Sequence, residues 1–278
     1  MSRGVPNLHI LSQGGRLFRV IRLEDLTKRY GATLAVDSMS LDVARGEFLV
    51  LLGSSGCGKT TTLKMINRLI KPTSGRVWID GRDASTVEPH LLRRQIGYCF
   101  QEIGLFPHMS VAENISITPR LLGWPKDRVG ARVGELLELV ELEATSFAKR
   151  MPDELSGGQQ QRVGIARALA AGPDVLLMDE PFGSLDPLTR DRLQRRFRSI
   201  QRELQISVVF VTHDMVEALV LGDRIAVMDG GCLVQVGTPR QLLLDPAGPI
   251  VAGLMETPRR QAEQVEALLE DEPAGESR

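Results

Sequence analysis

Eight consecutive residues, Gly53–Thr60, follow the pattern GxxxxGK[ST], with an apolar run before them and a helical pattern after them. The glycines let backbone N–H groups curl around an anion without clashes at Cβ, and the helix that follows adds the positive end of its dipole. In this pattern Lys59 reaches terminal phosphates and Thr60 offers a hydroxyl to Mg²⁺. We therefore expect a nucleotide-binding loop rather than an ordinary glycine-rich turn. Its expected contacts are Gly53, Ser54, Ser55, Gly56, Cys57, Gly58, Lys59, Thr60 and Thr61.

Two adjacent carboxylates, Asp179 and Glu180, end a second apolar run, Val175–Met178. A buried strand would deliver Asp179 beside the phosphate loop, where it can hold Mg²⁺ through water. Glu180, one residue further on, can polarise an attacking water molecule. Taken alone, a strand that ends in solvated acids is about equally plausible, but the phosphate loop in the same chain favours the catalytic interpretation.

His213 follows another apolar run, Val208–Thr212. The carboxyl ends of parallel strands meet a ligand at one edge of the sheet, so a histidine there can contact a γ-phosphate. A lone histidine is more often structural. The other motifs favour the site for His213, whereas we interpret His9, His90 and His108 as structural.

A second candidate anion site lies in Leu155–Arg162, which opens a helix with Ser156 as its N-cap. Gly157 and Gly158 expose backbone N–H groups at the start of that helix. Ser-Gly-Gly alone usually marks a loop, so the specificity of this signal depends on the whole octapeptide.

The elements that must position these residues alternate between short apolar strands and longer helical patterns. We predict strands over Glu47–Leu52, Asp174–Met178 and Ser207–Thr212, and helices over Thr60–Leu69 and from Asp186–Pro187 onward. This order predicts an α/β fold, in which a mostly parallel sheet is covered by helices on both faces.

Between roughly residues 102 and 160 the strand-like runs vanish, and we predict an inserted helical lobe that includes helices over Arg128–Leu142 and Ser156–Ala171. Further along, Asp229–Gly231 predicts the turn of a β-hairpin. Asp214 and Glu217 are spaced as a capping box at the start of a helix.

Composition narrows the class of protein. The chain has 278 residues, 42% of them hydrophobic, and Lys+Arg 34 against Asp+Glu 35, so nothing draws it as a whole to nucleic acid. Its three cysteines, Cys57, Cys99 and Cys232, form no CxxC pair, which argues against a zinc site or a disulfide framework. The apolar runs are too short to cross a bilayer, so we expect any membrane role to come through a partner.

Within the phosphate loop, Cys57 is either a small residue that fills space or a thiol open to oxidative inhibition.

These motifs, in this order, resemble those of the ABC-transporter ATPase family over roughly residues 20–245. Gly53–Thr60 resembles Walker A, Asp179–Glu180 resembles Walker B with its catalytic glutamate, and Leu155–Arg162 resembles the signature. The resemblance implies a P-loop NTPase with a RecA-like core sheet, an antiparallel β subdomain and an inserted α-helical signature subdomain. It also implies that ATP and Mg²⁺ are bound.

The resemblance assigns roles to further positions. Gln101 resembles the Q-loop glutamine, which touches Mg²⁺ and reports to the membrane subunit, and His213 resembles the switch histidine. Ser184–Asp186 resembles the D-loop, and Tyr30 resembles the aromatic that stacks on adenine, with a packed strand-end aromatic as the alternative. The implied catalytic residues are Glu180, His213 and Gln101, and the implied metal-binding residues are Thr60, Gln101 and Asp179. The implied signature contacts are Ser156, Gly157, Gly158 and Gln159, and the implied D-loop contact is Asp186.

The family also implies an assembly. Two ATPase chains would pair head to tail, so that Walker A of one and the signature of the other hold the same ATP. Transmembrane permease subunits and, indirectly, a substrate-binding protein are the other implied partners, and we expect no nucleic acid. This places the chain peripherally on the cytoplasmic face of the plasma membrane.

A narrower resemblance concerns the substrate. Lys64–Arg68, Gln101–His108 and Thr257–Gln261 are similar to segments of importer ATPases for glycine betaine, carnitine, choline and related osmoprotectants, and residues 102–110 would dock the permease. An importer motor for amino acids or polyamines, or a non-transport ABC ATPase, remains as an alternative.

The resulting division of the chain has three parts. We expect a flexible extension over residues 1–19, a nucleotide-binding domain over residues 20–255 with its helical subdomain at about 102–160, and a tail over residues 256–278 without the CBS modules that many of these relatives carry.

Overall fold

A computed structural model describes residues 19–270. The expected flexible extension therefore lies outside the described residues except for Arg19, which already belongs to a strand, and so do residues 271–278 of the tail. Within the described range, no helix is both long and apolar enough to span a membrane.

Ten strands and ten α-helices make up the described part of the chain. The strands are β1 (Arg19–Tyr30), β2 (Thr33–Ala44), β3 (Phe48–Gly53), β4 (Ser74–Ile79), β5 (Arg82–Asp83), β6 (Ile96–Cys99), β7 (Val175–Asp179), β8 (Ser207–Thr212), β9 (Arg224–Asp229) and β10 (Cys232–Gly237). The helices are α1 (Lys59–Ile66), α2 (Pro89–Gln95), α3 (Val111–Leu121), α4 (Lys126–Leu139), α5 (Ala144–Phe147), α6 (Gly157–Leu169), α7 (Pro187–Leu204), α8 (Met215–Leu221), α9 (Pro239–Leu244) and α10 (Pro249–Glu270).

The central sheet has six strands in the order β10-β9-β3-β8-β7-β6, all parallel to their neighbours except β10. Every residue of β3, β7 and β8 is buried. Successive residues of β3 alternate between two apolar clusters, with Phe48, Val50 and Leu52 in one and Leu49 and Leu51 in the other. A strand covered on both faces must be apolar throughout, which is why the sequence showed continuous runs. The predicted parallel sheet and the β9–β10 hairpin are confirmed.

A second, antiparallel sheet has the order β2-β1-β4-β5. β1 and β2 form a long hairpin, whose buried side chains pack in the same cluster as Leu49 and Leu51 of β3. The expected combination of a core sheet with an antiparallel β layer is therefore confirmed.

Between Cys99 and Val175 the chain forms helices α3 to α6 and no strand. The helix expected over Arg128–Leu142 is α4, which begins at Lys126 and ends at Leu139. The sequence analysis did not predict α3, which contains Pro119 and several β-branched residues that lower helix propensity. A capping box between Ser110 and Glu113 starts it nonetheless.

Two sequence-based expectations about helix ends were wrong. α1 ends at Ile66 rather than Leu69, because Asn67 caps it and Arg68 adopts a φ of 50°, which leaves the helical region. At α8, Asp214 is the N-cap as predicted, but Glu217 does not return to the cap. Its carboxylate instead turns inward and accepts hydrogen bonds from Thr212 Oγ1 at 2.6 Å and Gln194 Nε2 at 2.7 Å.

Helix α10 runs without a break across the expected boundary between residues 255 and 256. Val251 and Met255 on its first half are buried in the larger apolar cluster. The start of this helix is thereby fixed to the rest of the fold.

Close packing between β6 and α6 predicts the effect of one substitution. A Cβ on Gly97 would lie 2.4 Å from the Ala168 carbonyl oxygen and 2.6 Å from Leu176 Cδ1. We expect Gly97→Ala to lower the free energy of unfolding by about 1–3 kcal/mol through overpacking. The matched control is Gly134→Ala in α4, where a Cβ meets nothing within 4 Å and alanine should add about 0.5–1 kcal/mol. Urea unfolding measures both; equal stability of Gly97→Ala and the wild type would contradict this packing.

Candidate functional site

The phosphate loop joins β3 to α1 and is wrapped closely by its neighbours. A Cβ on Gly53 would lie 2.1 Å from the Met228 carbonyl oxygen, and one on Gly58 would lie 2.4 Å from that of Ala35. Gly58 also has a φ of 104° at the N-cap of α1, a conformation that favours glycine. Only glycine fits both positions, so these residues bring the loop backbone against β2 and β9.

Lys59 is buried, and its ammonium group is fixed inside the loop. Nζ donates hydrogen bonds to the carbonyl oxygens of Gly53 at 2.7 Å and Ser54 at 2.8 Å, and it lies 3.7 Å from Cys57 Sγ. The Cys57 thiol is also buried. The positive charge expected to meet phosphate therefore lies at the centre of the loop, next to Cys57.

Thr60 and Asp179 meet although they are far apart in the sequence. Thr60 Oγ1 donates a hydrogen bond of 2.9 Å to Asp179 Oδ1 at the end of β7. Burial raises the pKa of the Asp179 carboxyl, and the negative charge of Glu180 adds to this, whereas the Thr60 hydrogen bond opposes it. A hydroxyl and a carboxylate oxygen side by side are hard oxygen ligands of the type that Mg²⁺ prefers, so these residues fit that ion.

Glu180 lies between two other predicted site residues, His213 and Gln101. Its Oε1 is 3.0 Å from His213 Nδ1, and its Oε2 accepts a hydrogen bond from Gln101 Nε2 at 3.4 Å. The parallel pairing of β7 with β8 explains this arrangement, since Glu180 and His213 directly follow the carboxyl ends of these two neighbouring strands. A carboxylate held between an imidazole and an amide can accept a proton from water.

The signature begins α6 with a capping box. Ser156 Oγ accepts a hydrogen bond from the Gln159 N–H at 3.3 Å, and Gln159 Oε1 accepts one from the Ser156 N–H at 3.0 Å. Among the described residues, hydrogen bonds link this motif to Glu180 and Ser184 of the same chain, and none links it to the phosphate loop. The first turn of α6 still presents the N–H groups of Gly157 and Gly158 at a helix start.

The last two predicted positions lie at the margins of the site. Asp186 caps α7 by accepting a hydrogen bond from the Thr189 N–H at 3.0 Å, and this bond lowers the pKa of the Asp186 carboxyl. Tyr30 ends β1 with 50% of its surface exposed, so it is not a packed strand-end aromatic. Lys28 Nζ lies 4.9 Å from the centre of its ring.

Sequence reasoning missed Gln161, which is buried in α6. Its Nε2 donates a hydrogen bond to the Glu180 carbonyl oxygen at 3.0 Å, and its Oε1 accepts one from the Ser184 N–H at 2.8 Å. A signal was available, because Gln161 follows Gly158 by three residues and therefore shares its helix face.

A cleft of about 580 Å³ lies next to Gln101, between the core sheet and the helical segment. Arg167 shapes the adjacent loop by donating hydrogen bonds to the carbonyl oxygens of Ile103 at 2.9 Å and Gly104 at 2.7 Å. Asn114 holds the next part of that loop through the Phe106 N–H at 2.8 Å, and the Phe106 ring is 44% exposed. The sequence analysis did not single out Arg167 or Asn114.

Comparison with known proteins gives consistent results. The chain is 54% identical to the glycine betaine/carnitine/choline transport ATP-binding protein OpuCA of Bacillus subtilis (strain 168), over 84% of this chain and 61% of that protein. It is 53% identical to the osmoprotectant import ATP-binding protein OsmV of Salmonella typhimurium (strain LT2), over 85% of this chain and 63% of that protein. The chain thus spans less than two thirds of the length of these two relatives.

A solved structure agrees with the fold. The cassette MJ0796, described as dimeric in a post-hydrolysis state bound to ADP and Pi, superposes with a TM-score of 0.74 at 35% identity, over 79% of this chain and 99% of that chain. The family model described as ABC transporter matches residues 36–183. That match covers more than half of the sequence, including the phosphate loop, the signature and Glu180, and the chain therefore belongs to the ABC transporter family.

Proposed function

We propose that this chain is the ATP-binding and ATP-hydrolysing subunit of an ABC importer, in which hydrolysis drives uptake of an osmoprotectant or quaternary amine such as glycine betaine, carnitine or choline. The observation that carries the catalytic part is the position of Glu180, 3.0 Å from His213 and next to the hydrogen-bonded pair of Asp179, which is buried, and Thr60, which is half-buried. This arrangement supports an acid–base site beside a phosphate and metal site.

The nucleotide is bound mainly by the phosphate loop. Backbone N–H groups of Gly53–Thr61 and the Lys59 ammonium face the phosphates, and Tyr30 stacks on the adenine. Thr60, Asp179 and Gln101 hold Mg²⁺, which when bound neutralises charge on the phosphate oxygens. These residues therefore orient the triphosphate and compensate its negative charge.

Glu180 orients and polarises the attacking water. Its carboxylate accepts the proton that the water gives up, while His213 fixes one carboxylate oxygen and contacts the γ-phosphate. Gln101 contacts the other oxygen and also forms one wall of the cleft beside the helical segment. Gln101 therefore connects the proton acceptor Glu180 to the cleft.

Two copies of the chain act together. The signature residues Ser156, Gly157, Gly158 and Gln159 of one copy contact the nucleotide held by the phosphate loop of the other, with Asp186 of the D-loop at the interface. The dimeric state given for the similar cassette MJ0796 supports this assembly. Closure on ATP and reopening after hydrolysis then provide a two-state switch.

The permease docks at residues 102–110, beside the cleft next to Gln101, and passes movement between this loop and the membrane. The exposed ring of Phe106 and the fixed loop around it support this surface. The chain then lies peripherally on the cytoplasmic face of the membrane, and a substrate-binding protein delivers the substrate to the permease. The nucleotide-binding domain spans residues 20–255, with its helical subdomain at about 102–160.

The substrate class rests on the two relatives named above, whose names give glycine betaine/carnitine/choline transport and osmoprotectant import. An importer ATPase for amino acids or polyamines uses the same chemistry and is the second candidate. Uptake decides between them: inactivation of this chain in its source cell should reduce uptake of labelled glycine betaine or choline and leave uptake of labelled spermidine unchanged. The reverse result would favour the second candidate.

The catalytic proposal predicts the behaviour of Glu180→Gln. This variant keeps a side chain of similar size but cannot accept the proton, so we expect hydrolysis to fall by about a hundredfold or more, while ATP binding persists and a dimer accumulates. Size-exclusion chromatography with Mg-ATP measures the dimer. Glu135→Gln on the surface of α4, where Glu135 only pairs with Arg132, is the control and should behave as the wild type. Rapid turnover by Glu180→Gln would contradict the role given to Glu180.

A further inference from the structure

The Gln161 amide joins two functional segments that the sequence keeps apart. It lies on α6, 2% exposed, and its donor and its acceptor are both occupied, by the Glu180 carbonyl oxygen at 3.0 Å and the Ser184 N–H at 2.8 Å. Since both ends of the amide are bonded, the side chain has one orientation. The start of the signature helix is therefore tied to the segment from Glu180 to Ser184.

This bond is one of three backbone hydrogen bonds that hold Glu180. Glu180 has a φ of 47°, in the left-handed region that non-glycine residues rarely adopt. Its N–H donates a hydrogen bond of 3.0 Å to the Val211 carbonyl oxygen of β8, and its own carbonyl accepts the bond from Gln161 and another of 3.2 Å from the Gly183 N–H. A strained conformation persists only where its surroundings hold it, so β8 and α6 together set the direction of the Glu180 carboxylate.

A second contact lies on the same face of α6. A Cβ on Gly158 would come within 3.2 Å of Leu185 Cδ2 and 3.4 Å of the Ser184 carbonyl oxygen, and Leu185 is buried. Gly158 and Gln161 are three residues apart and face the same neighbours. The first turns of α6 and the segment from Glu180 to Leu185 are thus packed together by a steric contact and two hydrogen bonds.

We propose that Gln161 is a positioning residue that couples the two nucleotide sites of the dimer. The inference rests on the proposed function, in which the signature of each subunit serves its partner's nucleotide while Glu180 serves its own. When the signature of one subunit closes on the partner's ATP, α6 shifts, and Gln161 moves the backbone of Glu180 and Ser184 with it. The carboxylate then reaches its catalytic position only when the other site is filled.

A purely structural role is the competing explanation, and Gln201 provides the matched control. Gln201 is another buried helical glutamine, whose Nε2 donates hydrogen bonds to the carbonyl oxygens of Gly46 at 2.9 Å and Ile206 at 2.6 Å, away from the site. Removing either amide should lower thermal stability, because each backbone group that it contacts loses a hydrogen bond. Only the loss of Gln161 should alter the coupling between sites.

The test compares Gln161→Leu, Gln201→Leu and the wild type in ATP hydrolysis over a range of ATP concentrations. We expect Gln161→Leu to lower kcat about tenfold or more, because leucine removes both hydrogen bonds that position Glu180 and Ser184. We also expect the Hill coefficient to fall from near two, the number of sites, towards about one. The affinity for a fluorescent ATP analogue should stay within about twofold, because the residue does not touch the nucleotide. Gln201→Leu should melt earlier but keep the wild-type kcat and Hill coefficient.

A second variant, Gln161→Glu, keeps the size of the side chain and the acceptor for Ser184. Its carboxylate cannot donate to the Glu180 carbonyl, but its protonated form can. The activity of Gln161→Glu relative to the wild type should therefore rise as the pH is lowered from about 8 to about 6, since a buried carboxyl protonates in or near this range. The Hill coefficient of Gln161→Glu should rise over the same pH range, whereas a purely structural role would change only its thermal stability.

The outcomes separate the two proposals. A wild-type protein that does not hydrolyse ATP overturns the proposed function itself. A cooperative wild type together with an equally cooperative, equally fast Gln161→Leu overturns the coupling role, and so does a wild type that hydrolyses ATP without cooperativity. If Gln161→Leu does not fold, the pH dependence of Gln161→Glu decides, and a constant ratio overturns the inference.

Discussion

The hydrogen bond between Thr60 Oγ1 and Asp179 Oδ1, 2.9 Å long, is the contact on which the site depends. It joins the first turn of α1 to the end of β7, across 119 residues of sequence. It can form because β3, β8 and β7 are neighbouring parallel strands whose carboxyl ends lie at one edge of the sheet. The phosphate loop, the carboxylates and His213 each follow one of these strands, so the register of the sheet brings them together.

The core sheet and the helical segment have different roles in the proposed mechanism. The buried strands fix Asp179, and burial raises the pKa of its carboxyl. A positive charge next to this carboxyl would favour its ionised form. Helices α3 to α6 carry the signature and share one apolar cluster with the core sheet, and the Gln161 amide adds polar contacts to the segment after β7. In the proposed assembly, a shift of α6 would reach the Glu180 backbone through the Gln161 bonds.

The family resemblance alone implied Gln101, whereas the sequence itself predicted the parallel sheet, the hairpin and the placement of Glu180 and His213 at strand ends, because each of these depends on a local pattern: an apolar run, a glycine turn or a motif at a strand end. It did not predict α3, whose β-branched residues and Pro119 weaken the helical signal. It misassigned Glu217, whose partners Thr212 and Gln194 come from two other elements. Gln161 was missed although its spacing from Gly158 places both on one helix face, because its partners Glu180 and Ser184 come from another part of the chain.

The dependence of nucleotide affinity on Mg²⁺ in the variant Thr60→Val tests the central contact most directly. Valine keeps the shape of threonine but lacks the hydroxyl, so it removes one oxygen ligand and the bond to Asp179. We expect the affinity of Thr60→Val for a fluorescent ATP analogue in EDTA to match that of the wild type. The gain in affinity on adding Mg²⁺ should fall by about tenfold, which is the effect expected for the loss of one charge-assisted hydrogen bond or one metal ligand. An undiminished gain from Mg²⁺ in Thr60→Val would contradict the account of this site.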